Sequence, residues 1–190
     1  MIKSKTMGLF AIAAIGLVLA CGMGNQTAEA DKLMNEANAL IADRNTTDTK
    51  TIPLMKDFVA VFATKSDRDF ENYKTRNKAR FDELVSLLTN LEKSTADAAA
   101  KMDQASKLKV DDKAKEYYSL KFQELFKSAE QDRAVSAMIR SALAAKEIDE
   151  ANRLLKDWDK KDDDFTKETE ALKSKVDQFT KDNPGVFSSN

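Results

Sequence analysis

The sequence predicts an all-α protein, an antiparallel bundle of three long helices preceded by one or two shorter N-terminal helices. Three observations lead there. Charged residues make up 33% of the 190-residue chain and hydrophobic ones 42%, with five Gly and two Pro. That mixture is too apolar for simple disorder and too poor in turn formers for an all-β fold. Apolar residues recur at alternating steps of three and four, the signature of helices packed along their length. Breakers are few, so connections are short and successive helices fold back as neighbours.

The helical domain is expected over residues 28–183. Its first helix runs from about Ala28 to Asp43, with Leu33, Ala37, Leu40 and Ile41 on one face. Arg44-Asn45-Thr46-Thr47-Asp48 reads as a turn-prone interruption. A short helix then follows Pro53, a residue suited to a first turn, with Leu54, Phe58, Val61 and Phe62 along one side. Ser66-Asp67-Arg68-Asp69 reads as the N-cap of the first long helix. Its seam is Phe81, Leu84, Leu88, Leu91, Thr95, Ala98, Met102 and Ala105, and Phe70, Tyr73 and Asn77 extend it backwards.

Val110-Asp111-Asp112 supplies a break and an Asp cap for the second long helix, whose seam is Tyr118, Phe122, Leu125, Ala129, Asp132, Ser136, Ile139 and Leu143. No breaker marks the next boundary. A tight turn is placed near Lys146 because the seam restarts at Ile148; without it, one continuous helix and a dimeric coiled coil would result. The third seam runs Ala151, Leu155, Trp158, Asp162, Phe165, Thr169, Leu172, Val176 and Phe179. Asn183-Pro184-Gly185 stops that helix and leaves 184–190 as a disordered tail.

The first thirty residues carry a different signal. Lys3 and Lys5 precede an uncharged apolar run from Met7 to Ala20. A basic start and a short apolar core form the pattern of a secretory signal, and the run is short for a membrane span, which needs about 20 apolar residues. Val18-Leu19-Ala20-Cys21 resembles the lipobox of bacterial lipoproteins, although Leu19 is bulkier than the small residue usual at that position. The resemblance covers residues 1–21 only. It implies a signal peptide over 1–20, cleavage before Cys21 and lipidation of the Cys21 thiol, palmitate being one acyl group it could carry. Residues 21–27 then form a lipidated N-terminus and flexible tether. Gly22 in place of Asp is read, within that class, as permitting transfer to an outer membrane facing the periplasm. Two rival routes stay open: an Ala28-Glu29-Ala30 cut releasing a soluble protein, and an uncleaved signal anchor.

The rest of the chain excludes more chemistry than it proposes. It contains no His, which removes Ser-His-Asp and Cys-His catalysis, His-ligated metals and the di-iron sites of helical bundles. Cys21 is the only thiol, so no disulfide forms within the chain, and a lipidated Cys21 leaves no thiolate nucleophile or metal ligand. The five glycines never make a phosphate-binding loop. Asp157, Asp159, Asp162, Asp163 and Asp164 lack the central Gly and ligand spacing of a calcium loop, because Lys160 and Lys161 interrupt them. They read as a solvated helix face. Without its first 20 residues the chain has 29 basic and 32 acidic side chains, interspersed, so there is no basic footprint for nucleic acid. The Asn45-Thr46-Thr47 sequon is a chance match beside a bacterial export signal.

Polar residues on the seams remain: Thr95, Asp132, Ser136, Asp162 and Thr169. A turn near Lys146 would set Asp132 level with Lys160 and close to Asp162. A buried Asp needs a partner, and Lys160, Arg133 or Arg80 could supply it. Such residues fix helix register in coiled coils; a ligand site or a solvated seam are the other readings. Trp158, Tyr117, Tyr118 and the Phe residues, apart from Phe10 in the signal segment, read as core and near-core packing. The expected function is a membrane-anchored envelope lipoprotein with a binding or scaffolding role and no enzymatic activity, cofactor or metal. Its partners would be the membrane, through Cys21, and an envelope protein. A ligand- or cargo-binding, chaperone-like module is the alternative.

Overall fold

Residues 26–184 are described by the computed structural model. They form five α-helices: α1 (Gln26–Ala60), α2 (Asp67–Arg76), α3 (Lys78–Ser106), α4 (Asp112–Ala144) and α5 (Ile148–Asp182), with a 3-10 turn at Val61–Ala63. No strand occurs among the described residues. The all-α class is as the sequence predicts. The signal segment, Cys21, residues 22–25 of the tether and residues 185–190 of the tail lie outside the described residues.

The helices pack in chain order, α1 on α3, α3 on α4 and α4 on α5. Cross-helix pairs give their directions. Glu36 meets Lys101, Arg44 meets Thr95 and Asp57 meets Arg80, so numbers rise along α1 as they fall along α3. Asp132, Arg133 and Arg140 of α4 meet Thr95, Glu92 and Thr89 of α3 in the same reversed order. Tyr117, Lys127 and Gln131 of α4 likewise meet Phe179, Glu168 and Asp162 of α5.

Two expected boundaries are corrected. The interruption at Arg44–Asp48 and the separate helix after Pro53 do not exist, since α1 runs unbroken for 35 residues with Pro53 inside it. An interior Pro costs about 3 kcal/mol or more. It is tolerated because both flanks are held by packing: Ile41 is buried before it, and Leu54 and Phe58 after it. The turn-prone residues are inner-face residues here, with Arg44, Thr47, Asp48 and Thr51 all buried. α1 also starts at Gln26, two residues before the expected start of the domain.

The second correction concerns the first long helix, which divides into α2 and α3 at Asn77 (φ −105°, ψ 13°). The break is slight. The Asn77 N–H still donates to the Tyr73 carbonyl at 3.1 Å, and the Phe81 N–H to that of Asn77 at 3.0 Å. Ser66 caps α2 as expected, its hydroxyl accepting from the Asp69 N–H.

The turn near Lys146 is present and the continuous-helix alternative is not, because α4 ends at Ala144 and α5 begins at Ile148. It lacks a Gly or Pro because side chains of α2 satisfy both helix ends. The Lys74 ammonium donates to the carbonyls of Leu143 and Ala145 at 3.1 and 2.6 Å. The Asp67 carboxylate accepts from the Ile148 N–H at 2.9 Å. A cation at a helix C-terminus and an anion at an N-terminus complement the free backbone groups and the helix dipole. At the other end Asp111 caps α4 through the Lys113 N–H at 2.9 Å. There the Lys109 N–H donates to Gln26 Oε1, tying the start of α1 to the α3–α4 turn.

The α3 seam residues Phe81 to Ala105 are all buried. On α5 the seam is buried only at its ends, at Ala151, Leu155, Val176 and Phe179, while Trp158, Asp162, Phe165, Thr169 and Leu172 are half-buried. The apolar core divides into two clusters. One, near the α3–α4 turn, is built on Ala30, Met34, Ala98, Met102, Tyr118 and Leu125. The other, near the α4–α5 turn, is built on Phe58, Phe70, Phe81, Leu84, Leu88 and Ile139. Polar side chains lie between them.

Candidate functional site: a buried polar layer

The layer follows from the seams themselves. On α1 the inward positions continue at steps of three and four from Ile41 through Arg44, Asp48 and Thr51 to Leu54 and Phe58, so the helix face stays inward while its residues turn polar. Thr95 holds the corresponding place on α3, and Asp132 and Ser136 on α4; all three are buried.

Arg44, 4% exposed, and Asp132, 2% exposed, form an ion pair across the bundle, with Nη2 donating to Oδ1 at 3.1 Å. Arg44 Nε donates to Thr95 Oγ1 at 3.0 Å. The Thr95 hydroxyl has one proton and two acceptors in reach, Asp132 Oδ2 at 2.7 Å and the Leu91 carbonyl at 2.8 Å. The ionised carboxylate makes the stronger bond, which closes a triangle between α1, α3 and α4. An isolated charge at this depth would be costly, whereas a paired and hydrogen-bonded one is tolerated. Asp48, one turn beyond Arg44, is buried as well. Burial raises its carboxyl above the usual range; the charge of Arg44 opposes that and the charge of Asp132 adds to it.

The layer extends to α5, where Gln131 Nε2 donates to Asp162 Oδ1 at 3.0 Å. Asp162 therefore meets Gln131, the residue before Asp132 in the chain, and sequence reasoning misassigns the partner of Asp132. Lys160 is exposed, Arg133 pairs with Glu92 at 2.8 Å, and Arg80 pairs with Asp57. Arg44 takes the role, and it was missed because its segment reads as a loop. The continued three-four spacing was the available signal. Ser136 is buried on the α4 seam. Thr169 is half-buried, and its hydroxyl has no hydrogen-bond partner. Beside it Lys127 joins Glu168 at 2.6 Å and Glu130 at 3.2 Å and lies over the Phe165 ring at 4.8 Å.

Asp157, Asp159, Asp163 and Asp164 are exposed, and no group of three or more potential metal ligands occurs among the described residues. Tyr117 is buried, and burial, with the charges of Glu124 and Asp177, pushes its hydroxyl up to about 12. Burial, with the charge of Asp31 near it, pushes Tyr118 higher still. Both phenols therefore stay protonated. No helix among the described residues is long and apolar enough to cross a membrane. Sealed from solvent, the Arg44–Thr95–Asp132 triangle can hold three helices in one register. No protein-family profile, curated protein or solved structure matches the chain.

Proposed function

We propose that the chain is a bacterial envelope lipoprotein, held to a membrane by lipid on Cys21, whose helical body acts as a non-enzymatic scaffold or binding element. The observation that carries this reading is the position of Cys21. It is the only thiol, it ends the apolar run, and it lies five residues before the first residue of α1. One acyl chain binds a membrane reversibly and two or more anchor stably. The rival cut after Ala30 is disfavoured, because Ala30 is fully buried within the opening turns of α1. With no His in the chain and the charged layer closed to solvent, the body works through its surface and shape. Its long helices, α1, α3, α4 and α5, are arranged as an up-and-down antiparallel bundle with polar contacts setting the register. Gly22 favours an outer membrane facing the periplasm in a host with two membranes.

The test is metabolic labelling with an alkynyl palmitate in a bacterial host, followed by fractionation. The native chain should take the label and sediment with membranes, and Cys21→Ala should lose both properties. Equal labelling of the two would overturn the anchor. One observation favours cargo binding as a second reading. Phe126 is 51% exposed beside Phe122 on α4, and the stacked Trp158 and Phe165 of α5 are only half-buried.

A further inference from the structure

The start of α1 is fixed to one end of the bundle. Gln26 accepts from the Lys109 N–H in the α3–α4 turn, and the end of α5 reaches the same region, with Phe179 against Tyr117 at 6.4 Å between ring centres. Four residues separate Cys21 from Gln26. Even fully extended, the five steps between them span roughly 18 Å. α1 itself has 35 residues and is about 50 Å long, so the opposite end lies far beyond the tether's reach. That end could meet the bilayer only if the bundle lay flat. A helix that lies flat presents an apolar face bordered by basic residues. Here the large apolar side chains exposed among the described residues are Ile52 and Val59 on α1 and Phe126 on α4. Ile52 and Val59, seven residues apart, share a face of α1, but Phe126 stands on a different helix, and both signs of charge alternate along the helices.

Resting on the lipid-anchor reading, we propose that the α3–α4 turn faces the phospholipid headgroups and the bundle stands upright on it. The exposed Lys107, Lys109 and Lys113 border that surface together with the exposed Asp111 and Asp112, so the short tether, not a net basic charge, sets the orientation. The α4–α5 turn, clamped by Lys74 and Asp67 of α2, is then the outermost part of the molecule and the end presented to an envelope partner.

Because lipid would occupy the only natural thiol, a new surface cysteine can be labelled alone. Lys109→Cys and Lys146→Cys, both at exposed positions, are made in the acylated full-length chain. Each is labelled with a donor fluorophore and reconstituted into phosphatidylethanolamine–phosphatidylglycerol vesicles that carry an acceptor on the headgroups. Energy transfer should be roughly threefold or more higher from position 109 than from position 146, given a helix length of about 50 Å. Equal or reversed transfer from vesicle-bound protein would overturn the orientation and leave the anchor standing. Vesicle flotation is read separately: protein that fails to float would overturn the anchor, and the orientation with it.

Discussion

The two halves of the core are packed by different means. Near the α4–α5 turn the helices meet through Phe58, Phe70, Phe81, Leu84, Leu88, Leu91 and Ile139. Near the α3–α4 turn alanine takes a larger share of the buried positions, at Ala30, Ala37, Ala98, Ala99, Ala105 and Ala114, six of sixteen against three of fourteen in the other half, and longer side chains such as Met34, Met102, Leu125 and the two tyrosines fill the space between them. Large aliphatic and aromatic side chains remove more apolar surface from water. Small ones leave little room for added volume. One heptad seam can thus carry either solution, and the polar layer marks where one changes to the other.

Breaking that layer should have the largest effect. Asp132→Ala leaves Arg44 buried without its carboxylate, and removing one member of a buried ion pair costs about 3–5 kcal/mol. Urea denaturation followed by circular dichroism measures it, and a loss below about 1 kcal/mol, the range of an exposed pair, would mean that water reaches the layer. Replacing both partners, as Arg44→Met with Asp132→Leu, should recover most of the loss, because well-packed apolar pairs often match buried ionic ones. If the layer sets register, the double variant should be stable yet show broadened or duplicated NMR resonances.

The difference between the halves predicts opposite sensitivities. Leu88→Ala, at a site 1% exposed, should cost about 2–5 kcal/mol as a cavity in the large-residue half. Ala98→Leu, at a fully buried site, should cost about 1–3 kcal/mol through overpacking in the small-residue half. Comparable tolerance of Ala98→Leu and an exposed Ala→Leu control would remove the distinction.

Most of the fold was legible because α3, α4 and α5 keep the same inner spacing, and side-chain size and polarity agree with it over most of their length. Legibility failed where spacing and chemistry conflict. Arg44 to Thr51 keep the inward period of α1 but consist of residues that favour turns in isolation, and Pro53 strengthens the wrong impression. Tertiary packing overrides both preferences. The α4–α5 turn shows the reverse, since the restart of the seam locates it, whereas the side chains that end the helices come from α2, some 70 residues earlier in the chain. Thr95, Asp132 and Asp162 were legible as polar seam positions. Their partners Arg44 and Gln131 were not, because pairing depends on which helices become neighbours.

The smallest expected effect distinguishes the two acids of the layer. Asp132 is held by Arg44 and Thr95, whereas Asp48 is buried with its carboxyl raised above the ordinary value of 3.8, chiefly by desolvation. A raised native value means that the folded state holds this proton more tightly than the unfolded chain does. The stability this confers is fully present below the unfolded value and is lost as pH rises through the folded one. At neutral pH the ionised Asp48 is therefore a burden on the fold. Asp48→Asn keeps the shape and removes the charge, so it should raise the unfolding free energy measured in urea at pH 7 by under about 1 kcal/mol, the scale of one buried polar exchange. The gain should shrink as pH falls through the raised folded value, where the native carboxyl takes up its proton. Taking the difference between variant and native chain at each pH cancels the slopes of the other carboxylates. A gain that stays constant with pH would assign the effect to packing, and a loss at pH 7 would show that the Asp48 charge is needed beside Arg44.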